Sequence, residues 1–170
     1  MTEGRKAFPK RTLILGEGPV GARVLLVGES PGPPDALSGL PFQGPVGDMM
    51  NRIITGIGLK REECYLTNVV KYISQGKNLT PDIIEFFLPF LNREIIAVGP
   101  EIIVTLGAMP AQVLLGTVEP ISRVRGEFHE LHGIPVMPTF NPAYLLRDPS
   151  RKREVWEDMK KVREYLSREL

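Results

Sequence analysis

Apolar residues in this chain follow two rhythms. The first is the short unbroken run. Val24–Val27, within a predicted strand over Ala22–Gly28, and the strand Ile102–Leu106 are of this kind, which suits strands covered on both faces of a sheet. Tyr65–Lys71 and Ile134–Thr139 are two further predicted strands. Arg125–Leu131 pairs with the last of these as a hairpin around His132-Gly133, and Thr12–Leu15 fits a short edge strand. The second rhythm is helical. Met49, Met50, Ile53, Ile54 and Ile57 predict a helix over 47–57, stopped by Gly58. Thr80 as N-cap and Pro81 at the first helical position open another helix, which runs to Val98. Ala108–Leu115 is a short helix closed by Gly116, and a last helix over 150–166 turns Val155, Met159, Val162 and Leu166 inward. Strands alternating with helices predict a three-layer α/β/α sandwich around a mostly parallel sheet of about four or five strands. Residues 1–170 read as one domain, with the charged stretch 1–11 frayed.

Composition narrows the picture. The chain has 170 residues, of which 42% are hydrophobic and 24% charged, enough for one real core. A net charge of +1 neither requires nor excludes a nucleic-acid partner, because a local basic strip suffices for phosphates. The single cysteine, Cys64, leaves no disulfide framework and no multi-thiolate metal site. No run approaches the roughly 18 apolar residues of a membrane span. The polar N-terminus lacks a secretory core. The expectation is a cytoplasmic protein without a membrane partner, on which the sequon Asn78-Leu79-Thr80 carries no meaning.

Gly16-Glu17-Gly18-Pro19-Val20-Gly21 matches the spacing of a dinucleotide-binding fingerprint. That fingerprint needs a helix directly after the glycines. Here a strand follows and Pro19 interrupts, so the segment reads as a turn. The ends of the strands hold more chemistry. In open α/β sheets ligands bind outside the carboxyl ends of the strands. The first strand ends at Gly28-Glu29-Ser30-Pro31-Gly32, followed by Asp35 and Phe42; the second carries Asn68; the last ends at Asn141-Pro142. An acid, an aromatic plate and two carboxamides suit a flat, hydrogen-bonding ligand such as a nucleobase. Asn68 offers an acceptor beside a donor, which complements the N3–H and O4 edge of uracil and clashes with cytosine. Each residue also has an ordinary role. Glu29 suits a helix cap or a solvated loop, Asp35 a turn, Phe42 the core, and Asn141-Pro142 a turn start. Asn is unfavourable inside strands, which marks Asn68 for a specific buried role. His129 and His132 read as surface or turn residues.

These residues resemble the uracil-DNA glycosylase superfamily, and within it the iron–sulfur-containing family four enzymes. The family's G-E-x-P-G, acid and P-F-x-G pattern stands as Gly28–Gly32, Asp35 and Pro41–Gly44. Its T-N-V-V-K strand stands as Thr67–Lys71, and its G-I-P-V-x-P-T-F-H-P-A-Y-L-L-R-x-P run as Gly133–Pro149, with Asn141 in place of His. The likeness extends from about Gly16 to the final helix. The four cluster cysteines of the family are missing. Two of their positions fall near Tyr72 and Phe87 and two before the first strand, whereas Cys64 lies elsewhere and reads as a small core residue. A cubane cluster needs four thiolates. No cluster, other metal or cofactor is therefore expected, with aromatic packing in its place.

The resemblance implies excision of a base from DNA by a monomer, with uracil or another deaminated base such as hypoxanthine or xanthine as target. The base is flipped out of the stack. Glu29 then activates the attacking water and offsets charge on the sugar, with Asp35 second in that role. Ser30 stands where other branches of the superfamily place a catalytic acid, and it belongs to the base-binding set with Phe42, Asn68 and Asn141. Asn141 donates to uracil O2 as the family's His is thought to, with less acidity, or retunes the choice of base. In the Tyr144-Leu145-Leu146-Arg147 loop, Leu145 is the expected wedge and Arg147 meets a phosphate. Backbone amides of Pro31-Gly32, together with Ser38 and Lys71 or Lys77, are the expected phosphate anchors. The same residues also fit a lesion-binding protein that turns over poorly.

Overall fold

A computed structural model describes residues 12–73 and 79–168. Five strands form one sheet: β1 (Val24–Gly28), β2 (Tyr65–Asn68), β3 (Ile102–Leu106), β4 (His129–Leu131) and β5 (Ile134–Thr139). Their order is β2-β1-β3-β5-β4, and only β4 runs antiparallel to its neighbour. The first hydrophobic runs alternate sides, as strands must. Val24, Leu26, Ile102, Val104 and Met137 face one core, while Leu25, Val27, Ile103 and Val136 face the other. Helices α2 (Gly44–Gly56) and α7 (Lys152–Arg168) cover the first face. Helices α3 (Pro81–Val98) and α4 (Ala108–Leu115) cover the second. Three layers result, as the alternation of strands and helices predicted.

Several elements differ from expectation. Helix α2 begins at Gly44 rather than Gly47, because Pro45 sits in its first turn with a fixed, helix-compatible φ. Strand β2 stops at Asn68; beyond it the Val69 and Val70 amides turn onto the carbonyls of Gly28 and Glu29. Residues 12–15 contribute one bridge, Leu13 to Tyr72, rather than a strand. Three short helices lie in segments to which no helix was assigned: α1 (Pro33–Ser38), α5 (Ile121–Val124) and α6 (Pro142–Arg147). Thr80 occupies the N-cap of α3 without a side-chain bond to its backbone. The frayed segment expected at 1–11 lies outside the described residues.

The topology decides where a site can form. The chain passes from β1 to β2 on one side, then returns past β1 to β3 on the other. The connections after β1 and β3 therefore diverge, and a crevice opens above their carboxyl ends. In register, β1 ends with Gly28 beside Asn68 of β2, and β3 ends with Leu106 beside Thr139 of β5.

Candidate active site

A cavity of about 200 Å³ lies above these strand ends, lined among others by Ser30, Asp35, Phe42, Gln43, Asn68 and Asn141. Its floor is Gly28. A Cβ there would stand 2.7 Å from Asn68 Oδ1 and 2.9 Å from Phe42 Cζ, so amide and ring both lean over a bare Cα. Phe42 adopts a left-handed backbone, φ 53°, which disfavours a bulky side chain. Arg61 holds that conformation. Its guanidinium donates to the carbonyl of Pro41 at 2.6 Å and of Phe42 at 2.8 Å. Gly47 completes the grip, because a side chain there would collide with the Phe42 carbonyl.

Asp35 is buried on α1. Its carboxylate accepts the Gln43 amide at 2.8 Å and the Gly32 amide at 3.1 Å, tying both ends of the loop that carries Phe42. Its charge faces the cavity, yet each oxygen already holds a backbone N–H. The same bonds correct one expectation. The Gly32 amide is spent on Asp35, and Pro31 is buried and has no N–H, so neither backbone amide is offered to a phosphate. Ser38 is exposed, with its hydroxyl bonded inside the turn to the Asp35 carbonyl and the Leu40 amide.

Asn141 caps α6. Its Oδ1 accepts the Ala143 amide at 2.9 Å and its Nδ2 donates to the Leu106 carbonyl at 3.1 Å. These two bonds fix which end is oxygen and which is nitrogen, and leave one N–H and one lone pair. Thr139, two residues earlier, is anchored by Asp158 at 2.7 Å, and Asp158 is gripped by the Arg125 fork. Burial raises the Asp158 pKa against the pull of Thr139 and Arg125.

Asn141 also lines a second cavity, of about 440 Å³, together with Glu29, Phe140, Tyr144, Arg151 and Glu154. Glu29 is exposed there and does not line the first cavity. The expectation of one shared pocket is corrected to two chambers with Asn141 in the common wall. The chain crosses between them at Glu29-Ser30.

Two other expectations change. Leu145 is 1% exposed and packs into the core beneath α6, whereas Leu146 is 43% exposed. Helical turns set this outcome, so the wedge expected at Leu145 is buried and its neighbour Leu146 is the leucine in solvent. Lys71 is fully buried against Glu94 and cannot reach a phosphate. Lys77 lies outside the described residues. Arg147 is exposed, and Tyr144 stands half-buried with its ring 5.2 Å from Phe140. Sequence reading passed over Leu37, 92% exposed on α1, and Leu40, 41% exposed just after it. Two leucines in a Gly/Pro/Ser-rich loop were the available signal.

The donor set does not fit an iron–sulfur cluster. Cys64 is the chain's one cysteine; it is buried in the core, and burial with the nearby Glu63 charge pushes its thiol up to about 12. At the two later cluster positions Tyr72 and Phe87 are both buried, their rings 5.7 Å apart. Among the described residues no group of three or more His, Cys, Asp or Glu could hold a metal ion. No helix of those residues is long and apolar enough to cross a membrane.

Fold and site define a three-layer α/β protein with a cavity at the switch point of its sheet, lined by an aromatic ring and two carboxamides. The chain belongs to the uracil DNA glycosylase superfamily, whose family profile matches residues 15–160. It is 36% identical to a type-4 uracil-DNA glycosylase of Saccharolobus solfataricus, over 93% of this chain and 78% of that protein. It is 34% identical to the type-4 enzyme of Thermotoga maritima, over 94% of this chain and 86% of the relative. The Archaeoglobus fulgidus type-4 enzyme is 33% identical, over 91% and 82%.

Proposed function

We propose that this protein excises uracil from DNA, hydrolysing the N-glycosidic bond and leaving an abasic site. The observation that carries the reading is the slot over Gly28, where Phe42 gives a stacking plate and Asn68 an amide edge. The flipped uracil stacks on Phe42, and Asn68 meets N3–H and O4. The N1–C1′ bond breaks with its electron pair left on the base. The remaining N–H of Asn141 donates to O2, where that negative charge gathers. Water from the neighbouring chamber attacks C1′, and Glu29 takes its proton while offsetting positive charge on the sugar. Asp35 adds negative charge from the other side while holding the loop. Leu146 and Arg147, both exposed on α6, fill the gap in the duplex and meet its phosphates.

Hydrolysis of this bond requires water and placed charge, and the chain's thiol set does not support a cluster. On this reading the enzyme works without metal or cofactor, as a monomer on DNA in the cytoplasm. Oligonucleotides carrying uracil, hypoxanthine or xanthine provide the test. Release of free uracil is expected to be fastest. Release of hypoxanthine or xanthine in preference would assign the amide of Asn141 to another deaminated base. Tight lesion binding without release of any base would refute an enzymatic role.

A further inference from the structure

Lys71 is a fully buried cation that the reaction above does not use. Its ammonium donates to Thr67 Oγ1 at 2.7 Å, to Glu94 Oε1, and to the main-chain carbonyl of Asn68. All three of its protons are therefore placed. Glu94, on α3, also accepts from the Tyr65 hydroxyl at 2.7 Å and from Thr67 Oγ1 at 2.9 Å. Burial lowers the Lys71 pKa while Glu94 opposes that change. One carboxylate from α3 thus holds β2 at Tyr65, Thr67 and, through Lys71, Asn68.

The third contact links this network to the site. Asn68 is the last residue of β2, and its carboxamide lies over Gly28 in the base slot. Directly after it the backbone leaves the strand, with the Val69 amide on Gly28 at 2.9 Å and the Val70 amide on Glu29 at 3.0 Å. Lys71 grips the main-chain carbonyl of Asn68 at this bend, one bond from the Cα that carries the carboxamide. We propose that Lys71, braced by Glu94, is a positioning residue that aims the Asn68 carboxamide at the base and so sets base discrimination. The proposal rests on the uracil-excision reading above.

Lys71→Met alone leaves the Glu94 carboxylate without its cation and lowers the melting temperature. The double variant Lys71→Met/Glu94→Gln removes both charges and recovers most of that loss. Its excision does not recover. We expect kcat/KM for uracil to stay down roughly 100-fold, as for a misplaced recognition group. The preference for uracil over cytosine shrinks, while affinity for undamaged DNA is unchanged. A folded double variant with wild-type kcat/KM and wild-type discrimination would overturn the proposal and leave the pair a purely structural one. Should the double variant not fold, Glu94→Gln alone carries the readout, since it keeps the shape of the network and weakens the brace; unchanged discrimination there overturns the proposal equally. Wild-type protein that releases no uracil sinks the excision reading instead, so the two failures are distinct.

Discussion

Replacing Gly28 with alanine tests the slot with one methyl group. The backbone at Gly28 is ordinary strand, so alanine brings no conformational penalty. The obstacle is space. The new Cβ would lie 2.7 Å from Asn68 Oδ1 and 2.9 Å from Phe42 Cζ. Carbon contacts settle near about 3.5–4.0 Å, so the amide and the ring must each withdraw by roughly 1 Å. Overpacking of this kind costs about 1–3 kcal/mol of stability. At about 2–4 °C per kcal/mol for a chain of this size, the melting temperature falls by about 2–12 °C. Displacing a positioning group by about 1 Å costs roughly 100-fold in rate, or about 2.7 kcal/mol of transition-state stabilisation. Single-turnover release of uracil at saturating enzyme measures the second effect, and thermal unfolding the first. A folded Gly28→Ala protein that releases uracil at the wild-type rate would show that the base does not occupy this slot.

Glu29→Gln is expected to lower kcat by roughly 100- to 10,000-fold with little change in KM; an unaltered steady-state rate removes Glu29 from the chemistry. Asn141→His should raise uracil release and lower stability by about 1 kcal/mol as the cap of α6 is lost; kinetics without a gain would refute the account of Asn141. Leu146→Ala should slow excision from duplex but not from single strands at unchanged melting temperature, whereas Leu145→Ala should cost about 2–5 kcal/mol of stability. Equal behaviour of the two variants would exclude a wedge at Leu146. The Cys64 thiol, pushed up to about 12 and buried, should ignore thiol reagents at neutral pH until the protein unfolds. Absorption near 400 nm together with bound iron in the purified protein would overturn the cluster-free reading.

The central strands β1 and β3 were legible because they are covered on both sides and so carry apolar runs, and β3 and α4 fall on the residues expected, whereas the edge strand β4 has no buried residue and spans only His129–Leu131 of the expected Arg125–Leu131. Helix α6 was not legible. Asn141-Pro142 reads as a turn, yet the same pair is an N-cap followed by proline in the first turn, and packing against the core chooses the helix. That choice buries Leu145 and exposes Leu146. Phe42, Asn68 and Asn141 could be named because their types fit one ligand, but the wall between Glu29 and Phe42 depends on how the chain folds at Ser30. The role of Lys71 was hidden for another reason. A lysine near the end of a strand looks solvent-bound, and only the fold brings Glu94, 23 residues later, beneath it.

Arg61 reaches back across 19 residues to hold the Phe42 carbonyl. The stacking plate is consequently held by the chain's own hydrogen bonds with no nucleotide present. Capture is then limited by how often the DNA presents an unstacked base. A uracil mispaired with guanine, which swings out more readily than one paired with adenine, should be captured sooner by a receptor this rigid.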